Sequence, residues 1–259
     1  MQITASELTA LVGAWLWPLF RVAGMVMTAP VSGTKSVSPQ VRLMMALAIT
    51  LVIVPILPAQ PPVDLVSYAS LFIILQQVLI GVILGFTVQL VFSAVITGGQ
   101  IIAMQMGLGF SVMVDPQNGS QAPVLSQFYV MMTILVYLAL NGHLVLIEVL
   151  VDSFQSLPIG AVGISVTSFR DIAYWGSQLF AGGLAIALPA VASLLVVNLA
   201  FGIMTRAAPQ LNLFAIGFPV TMLLGFALVF ITLPSAIPQS TNLFTDVFHF
   251  LKQILQPAR

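Results

Sequence analysis

The sequence predicts an all-α integral membrane protein. Of its 259 residues, 59% are hydrophobic and 5% are charged, and the mean hydropathy is +1.12. Soluble domains carry about 25% charged residues, so too few polar side chains are present to cover a water-facing surface. Apolar runs of about 20 residues span a bilayer as helices. Four longer intervals contain no charged residue: 65–114, 116–147, 172–205 and 207–245.

The charge and cysteine counts narrow the function classes. The net charge is zero, which gives no indication of nucleic acid or an anionic membrane surface as a partner. No cysteine is present, so disulfides and thiolate metal sites are excluded. No Lys or Arg precedes Arg21. Because a secretory signal peptide needs a basic start, we expect the first apolar segment to be retained as a helix.

About six long, kinked, glycine-rich helices are expected. The first covers about Leu8–Thr28. A Pro/Gly/Ser loop follows at Ala29–Gln40, where Lys35 and the nearby Arg42 mildly favour a cytoplasmic position. A short second helix covers about Arg42–Leu57 and ends in a cluster of prolines.

The third apolar segment is the longest. It covers about Val63–Met104, which is roughly 60 Å of helix at about 1.5 Å per residue and about twice the hydrocarbon thickness of a bilayer. We expect it either to project beyond the bilayer into a protein assembly or to break at one of its glycine pairs, Gly81/Gly85 or Gly98/Gly99.

Three further helices and a tail complete the predicted elements. The fourth helix has a kink expected at Asn141-Gly142, because asparagine and glycine favour turns. The predicted ranges are Val124–Ser156 for the fourth helix, Leu157–Arg170 for a loop, Asp171–Thr205 for the fifth helix, Asn212–Leu233 for the sixth, and Asn242–Leu255 for a weakly amphipathic tail.

Enzyme chemistry finds no support in the sequence. His143 and His249 have no second His or Cys at ligand spacing, so no metal site is predicted. No glycine-rich loop precedes a Lys-Ser/Thr pair, which excludes a P-loop. We therefore predict neither a catalytic function nor a cofactor.

Four ionisable residues are candidates for a buried polar site or a proton relay. His143, Glu148 and Asp152 lie in or beside the fourth helix, and the two acids share one helix face. They either form a relay at membrane depth or lie in the solvated interface, which is the favoured interpretation. Arg21 lines an aqueous path or pairs with an acidic group on a neighbouring chain, since an unpaired lipid-facing arginine is the least favoured alternative.

The stretch Met106–Pro123 interrupts the apolar sequence. Gly107 and Gly109 permit unusual dihedrals, and Asp115-Pro116 favours a turn. Irregular backbone at membrane depth persists only where it is buried in protein or lines a cavity, so the stretch is either a constriction or plug, or an ordinary extramembrane loop. Its sealing side chains would be Met104, Met106, Phe110, Met113 and Val114, because methionine adapts to variable surfaces.

Two stretches resemble the FliR family of the bacterial type III export gate. "RAAPQLNLFAIGFPV", Arg206–Val220, resembles the signature of this family, and "GGQIIAMQMGLGF…VDPQ", Gly98–Gln117, resembles its other hallmark. Leu179–Pro189, Arg21 and Ala29–Pro30 also fit, so the resemblance covers most of the chain. Injectisomes contain a counterpart, but the form of Arg206–Val220 favours the flagellar branch.

The resemblance implies an assembly. In this family one FliR-type chain joins several copies of FliP and FliQ around a central pore in the bacterial inner membrane, within the flagellar basal body, next to FlhB and FlhA. Residues 1–156 would be FliP-like and 168–259 would form a FliQ-like hairpin with a tail. Much of such an assembly stands above the expected membrane plane.

The resemblance also assigns roles to residues. The strip from Met106 to about Ala122 is similar to the pore plug of the family, with the match carried by Gly107, Gly109, Phe110, Asp115 and Pro116. The turn of the hairpin would contact FliQ or the FlhA/FlhB component, and it contains Arg206, Pro209, Gln210 and Asn212.

The implied function is that of a structural pore subunit. It would conduct unfolded flagellar proteins across the inner membrane and help to plug the closed pore, where a hydrophobic constriction excludes water and ions. The alternative is a secondary transporter or ion-coupled permease with a midplane site, in which Glu148 and Asp152 would serve as the relay.

Overall fold

The computed structural model describes residues 5–58, 67–108, 124–160, 165–207 and 213–255. Within them all regular structure is helical, which confirms the predicted all-α class. The α-helices are α1 (Ala5–Thr28), α2 (Pro39–Ile53), α3 (Tyr68–Gln105), α4 (Val124–Ala139), α5 (Gly142–Ser156), α6 (Val166–Trp175), α7 (Gln178–Ala207) and α8 (Leu213–Ile254), and a 3₁₀ turn at Val54–Ile56 follows α2.

Four segments are long and apolar enough to cross a membrane: Pro39–Ile56, Tyr68–Gln105, Val166–Ala207 and Pro219–Ile254. The pair α4 and α5 makes a fifth if it is counted as one broken span. A shorter apolar helix covers Val12–Thr28. These lengths support the predicted membrane protein.

Helix α3 is continuous over 38 residues, which is about 57 Å at about 1.5 Å per residue. Of the two alternatives for this segment, the break at Gly81/Gly85 or Gly98/Gly99 is therefore excluded. A glycine inside a helix costs about 1 kcal/mol, and here each of the four lies against another helix, so close packing offsets that cost.

The predicted kink in the fourth segment is confirmed. Asn141 has a left-handed conformation with φ 54° and separates α4 from α5. Asparagine tolerates this conformation better than most residues. The backbone N–H groups of Leu144 and Val145 donate to the Asn141 carbonyl at 2.8 and 3.1 Å, so α5 begins directly after the break.

Two predicted boundaries near the C-terminus are wrong. The loop expected at Leu157–Arg170 gives way to α6 already at Val166, and the sixth segment and the tail form one helix, α8. Three prolines lie inside α8: Pro219, Pro234 and Pro238. Ending a helix among apolar residues would leave several backbone groups unpaired, whereas each internal proline removes one hydrogen bond.

The chain packs as two compact units. The first comprises Met1–Gln89, Asn141–Trp175 and Thr245–Arg259, and the second comprises Leu90–Leu140 and Gly176–Phe244. The division into FliP-like and FliQ-like parts follows sequence order, whereas each compact unit takes segments from both parts. That division remains a prediction about resemblance.

In the first unit, α1 and α3 approach at backbone distance. A Cβ at Gly24 would lie 2.5 Å from the Val78 carbonyl oxygen, and one at Gly81 would meet the Arg21 carbonyl oxygen and lie 2.8 Å from the Met25 nitrogen. Only glycine fits such contacts. The first unit also joins its distant segments through the stacked rings of Trp175 and Phe250, 5.4 Å apart.

In the second unit, α3 and α7 approach in the same way. A Cβ at Gly98 would lie 2.8 Å from the Gly183 carbonyl oxygen, and one at Gly183 would lie 2.8 Å from the Ala94 carbonyl oxygen. Beside this contact the rings of Phe92, Tyr137 and Phe244 form a cluster with centroids 5.2–5.6 Å apart. The expectation that small residues serve close helix packing is confirmed.

We predict that Gly81→Ala lowers the thermal unfolding midpoint of the purified chain in detergent. The added methyl group would force α1 and α3 apart, and overpacking costs about 1–3 kcal/mol. The matched control is Gly202→Ala in α7, where a Cβ would meet nothing within 4 Å and helix propensity improves by about 1 kcal/mol. Equal midpoints for the two variants would contradict the packing argument.

Candidate functional site

Arg21 lies in the middle of α1 and is completely buried. An unpartnered buried cation is costly, so its surroundings must supply hydrogen-bond acceptors. Within the described residues the acceptors are all neutral and all belong to this chain. In the described chain Arg21 therefore pairs with neutral groups, and a position beside an aqueous path or an acidic group of a neighbouring chain stays a prediction.

The guanidinium makes four hydrogen bonds. Nε donates to Gln77 Oε1 at 2.8 Å, Nη1 donates to the Ser153 carbonyl oxygen at 2.7 Å and to its Oγ at 2.9 Å, and Nη2 donates to the Leu157 carbonyl oxygen at 2.8 Å. Its Cζ atom lies 4.0 Å from the centroid of the Phe154 ring. One side chain of α1 thus connects α3 with the end of α5.

Two of these acceptors explain how the cation is tolerated. Leu157 follows the last residue of α5, so its carbonyl has no partner within the helix, whereas the Ser153 carbonyl accepts from the Leu157 N–H at 3.0 Å as well as from Arg21. This end also carries the negative pole of the helix dipole, which stabilises a cation. The ring of Phe154 adds a cation–π contact. Arg21 therefore acts as a cap for α5 supplied by another helix.

The other predicted polar residues lie on the surface of the described chain. His143, Glu148 and Asp152 are all exposed on α5. Glu148 Oε1 accepts from Lys252 Nζ at 3.0 Å, and both side chains are about half exposed. Such exposed pairs contribute little stability. The structure brings neither His143 nor Asp152 together with Arg21, and no three acidic, His or Cys side chains converge among the described residues.

The predicted plug strip begins at a well-defined helix end. Gly107 has φ 82°, which suits glycine because it has no Cβ. Its N–H donates to the Met104 carbonyl at 3.0 Å, and the Leu108 N–H donates to the Ala103 carbonyl at 3.0 Å. This pair of bonds is the Schellman arrangement that terminates a helix. The chain therefore leaves the axis of α3 at Gly107.

The two methionines beside Gly107 differ in their surroundings. Met104 is 67% exposed, whereas Met106 is completely buried. Met106 lies over Gly225 of α8, where an added Cβ would be 2.5 Å from its Cγ and 2.8 Å from its Cε. The contact between Met106 and Gly225 was not predicted from the sequence. The only signal was a lone glycine inside an apolar segment, which indicates close approach without naming the neighbour.

An apolar cleft lies next to this helix end. It has a volume of about 530 Å³. Leu108 and Val124, the described residues on either side of 109–123, both contribute to it. Its described lining is entirely apolar and also includes Leu125, Phe128, Phe226, Val229, Phe230 and Leu233.

Several predicted site residues lie outside the described part of the chain. In the plug strip these are Gly109, Phe110, Met113, Val114, Asp115 and Pro116, and in the hairpin turn they are Pro209, Gln210 and Asn212. Arg206 is described: it is exposed in the last turn of α7, where a cation suits the negative end of the helix dipole.

Comparison with known proteins gives full-length matches. Residues 12–247 match the family described as Bacterial export proteins, family 1. The flagellar biosynthetic protein FliR of Escherichia coli K12 is 41% identical over 98% of this chain and 97% of its own length. The protein of the same name from Pectobacterium carotovorum is 38% identical over 94% and 93%, and that from Bacillus subtilis is 28% identical over 93% and 94%.

The fold and the matches define a multi-helix membrane protein of a bacterial export system. The chain belongs to the family Bacterial export proteins, family 1. The resemblance to the FliR family that the motifs predict is confirmed by these matches.

We predict that Arg21→Met destabilises the first unit. It would remove the Arg21 donor from the Leu157 carbonyl and the Gln77 side-chain oxygen and one of two donors from the Ser153 carbonyl, and each buried polar group left unsatisfied costs about 1–3 kcal/mol. Arg21→Lys should restore little, because one ammonium lacks the planar fork that reaches acceptors on three residues. Thermal unfolding of the purified chain measures both effects.

The matched control for this experiment is Arg170→Met. Its side chain is 65% exposed and its nearest ion-pair contact is 4.0 Å from the adjacent Asp171, so little change is expected. An unfolding midpoint for Arg21→Met equal to that of Arg170→Met would contradict the capping role.

Proposed function

We propose that the chain is a component of the flagellar export apparatus and a structural pore subunit of its gate. It conducts unfolded flagellar proteins across the bacterial inner membrane and helps to plug the closed pore. Family membership and the full-length similarity to proteins named flagellar biosynthetic protein FliR support this proposal. Those names also favour the flagellum over the injectisome.

The structural observation that best supports the proposed plug is the way α3 ends. The Schellman arrangement at Gly107 releases the chain from a 38-residue helix immediately before the strip with the apolar side chains. Met106, held over Gly225, anchors the starting point. A rigid helix, a fixed exit and a strip containing glycine and methionine are the parts that a yielding hydrophobic seal requires.

Open apolar faces support the proposed partners, FliP and FliQ, with one copy of this chain in each complex and FlhB and FlhA nearby. In an 18-residue apolar stretch of each candidate span, the buried share is 61% in Tyr68–Gln105, against 17% in Pro39–Ile56, 22% in Val166–Ala207 and 17% in Pro219–Ile254. Those exposed faces need lipid or protein to cover them. Partner helices would convert the faces into interfaces around a pore.

The lengths of two helices and their short connection support the FliQ-like hairpin proposed for residues 168–259. Helices α7 and α8 have 30 and 42 residues, and residues 208–212 join them. Two long apolar helices with a short connection form a helical hairpin. The exposed Arg206 lies in the last turn of α7, just before the joining residues, where the proposal puts the contact with FliQ or the FlhA/FlhB component.

The transporter alternative receives no comparable support. A midplane site requires ionisable groups inside a packed interior or a water-filled cavity. In the described chain His143, Glu148 and Asp152 are exposed, and the buried Arg21 is held by neutral acceptors that define a structural connection.

We predict that replacing the apolar residues Phe110, Met113 and Val114 with serine raises ion leak through the assembled gate. The replacement keeps the length of the strip and removes its hydrophobic seal, and a constriction that admits water conducts ions. Membrane conductance of cells carrying the gate is the measurement.

The control for this experiment replaces the same number of large apolar side chains with serine at positions outside the strip. Serine replacements of the exposed Leu71, Phe72 and Leu75 in α3 remove similar apolar area outside the strip and outside the faces assigned to partner subunits. Conductance unchanged in the strip variant, while the gate assembles normally, would reject the plug.

We predict that Arg206→Ala reduces co-purification with FliQ without lowering the unfolding midpoint of the isolated chain. Arg206 is exposed, and under this proposal it contacts a partner subunit. Arg170→Ala is the control, since Arg170 is also exposed but lies outside the turn. Full recovery of FliQ and normal motility in the Arg206 variant would count against a partner contact at this turn.

A further inference from the structure

Gly225 of α8 has a different kind of neighbour from the glycines that pack helix against helix. At Gly24, Gly81 and Gly98 the atom nearest to an added Cβ is a backbone carbonyl oxygen of another helix. At Gly225 the three nearest atoms all belong to the side chain of Met106, with Cγ at 2.5 Å, Cε at 2.8 Å and Sδ at 3.1 Å. Gly225 therefore receives one side chain, which lies across it along most of its length.

Met106 is the residue at which α3 gives way to the strip. Its N–H donates to the Ile102 carbonyl at 3.0 Å, as in the helix, and the next residue, Gly107, has φ 82°. The side chain of Met106 is completely buried. Its backbone is thus fixed by α3 and its side chain by α8, so the contact with Gly225 sets where the strip starts relative to α8.

The same part of α8 lies near both ends of the strip. Leu108 and Val124, which flank residues 109–123, line the apolar cleft together with Phe226 and Phe230. Phe226 directly follows Gly225. The stretch of α8 that begins at Gly225 therefore holds Met106 and also forms a wall of the cleft that both ends of the strip line.

The geometry of the contact makes the absence of a Cβ at Gly225 important. Methionine is flexible, and a contact with its tip alone would be relieved by moving the terminal methyl group. Here the closest atom is Cγ, which is one bond from Cβ and moves only with χ1 or with the backbone. Interiors are close-packed, so rotating χ1 would drive this buried side chain into occupied space. An added methyl group at Gly225 therefore displaces the backbone at Met106 and Gly107.

We propose that Gly225 is a positioning residue of the plug: its missing side chain seats Met106 on α8 and so sets the point from which the strip enters the pore. This inference rests on the proposed function. Met106 belongs to the proposed FliP-like part of the chain and Gly225 to the proposed FliQ-like hairpin. The contact therefore makes the hairpin responsible for the position of a strip that the other part carries.

Membrane conductance of cells carrying the gate tests this role with the variants Gly225→Ala, Met106→Ala and the two combined. Gly225→Ala should raise the conductance toward that of the variant with serine at Phe110, Met113 and Val114, because the seal starts from a displaced point. Met106→Ala empties the space over Gly225 and should raise the conductance less. In the double variant the new methyl group occupies space that Met106 vacates, so the conductance should fall below that of either single variant. Additive effects would show that the two residues act independently and would overturn the proposal.

The matched control is Gly182→Ala in α7, which belongs to the same compact unit. An added Cβ there would lie 3.0 Å from both Cδ atoms of Leu243, so the variant overpacks the unit without touching Met106. It should leave the conductance unchanged. Thermal unfolding of each purified chain in detergent accompanies the conductance. Conductance that rises with every fall in the unfolding midpoint, in Gly182→Ala as well, would make Gly225 a structural residue only and overturn the proposal.

A disulfide crosslink tests the contact separately from the plug. The chain contains no cysteine, so the pair Met106→Cys/Gly225→Cys provides its only two thiols. Disulfides need Cβ atoms about 3.5–4.5 Å apart, and we expect oxidation of the assembled gate to protect both thiols from a maleimide reagent. The control pair Met106→Cys/Leu223→Cys should stay reactive, because Leu223 is exposed and lies on another face of α8.

The outcomes separate this inference from the function on which it rests. No crosslink between positions 106 and 225 in the assembled gate would overturn the positioning role. Leak in the serine variant of the strip, without leak in Gly225→Ala, would also overturn it and would leave the plug in place. No leak in either variant would reject the plug and the positioning role with it.

Discussion

The first compact unit depends on one buried cation. Arg21 is satisfied only when Gln77 of α3 and the carbonyls of Ser153 and Leu157 surround it together. Each acceptor alone would leave most of the desolvation cost of the guanidinium uncompensated. The charge therefore fixes α1, α3 and the end of α5 in one arrangement, since any displacement of one element exposes donors or carbonyls to apolar surroundings.

This arrangement requires helix backbones that touch. The carbonyl of Arg21 itself lies against Gly81, and Gly24 lies against Val78 one turn away. Larger residues at these positions would move α1 outward and withdraw the guanidinium from Gln77. Glycine thus serves the charged contact indirectly, because it sets the distance over which the side chain must reach. In this unit the close packing of α1 on α3 and the hydrogen bonds of Arg21 therefore depend on the same glycines.

Features governed by local sequence were predictable, and features governed by distant neighbours were not. The helical class follows from long charge-free runs, and the break at Asn141 follows from a residue that tolerates positive φ. The partners of Arg21 were not predictable, because two of its acceptors are backbone carbonyls more than 130 residues away and carbonyls have no sequence signature. Sequence could not choose between a break of α3 at its glycines and a continuous helix for a related reason: glycine signals flexibility or contact, and only the neighbouring helix decides which.

Gly202 of α7 has no close neighbour among the residues that the structure describes. Gly98, Gly99, Gly182 and Gly183 each lie against another helix of this chain, whereas a Cβ at Gly202 would meet nothing within 4 Å. Glycine in a helix interior costs about 1 kcal/mol, and no contact inside the described chain offsets that cost at Gly202. The same helix exposes Leu195, Leu199 and Ile203 around it. A close-packed partner helix would use both the missing side chain and the apolar surface, while lipid would use only the surface, so Gly202 supports the proposal that α7 contacts another subunit of the gate.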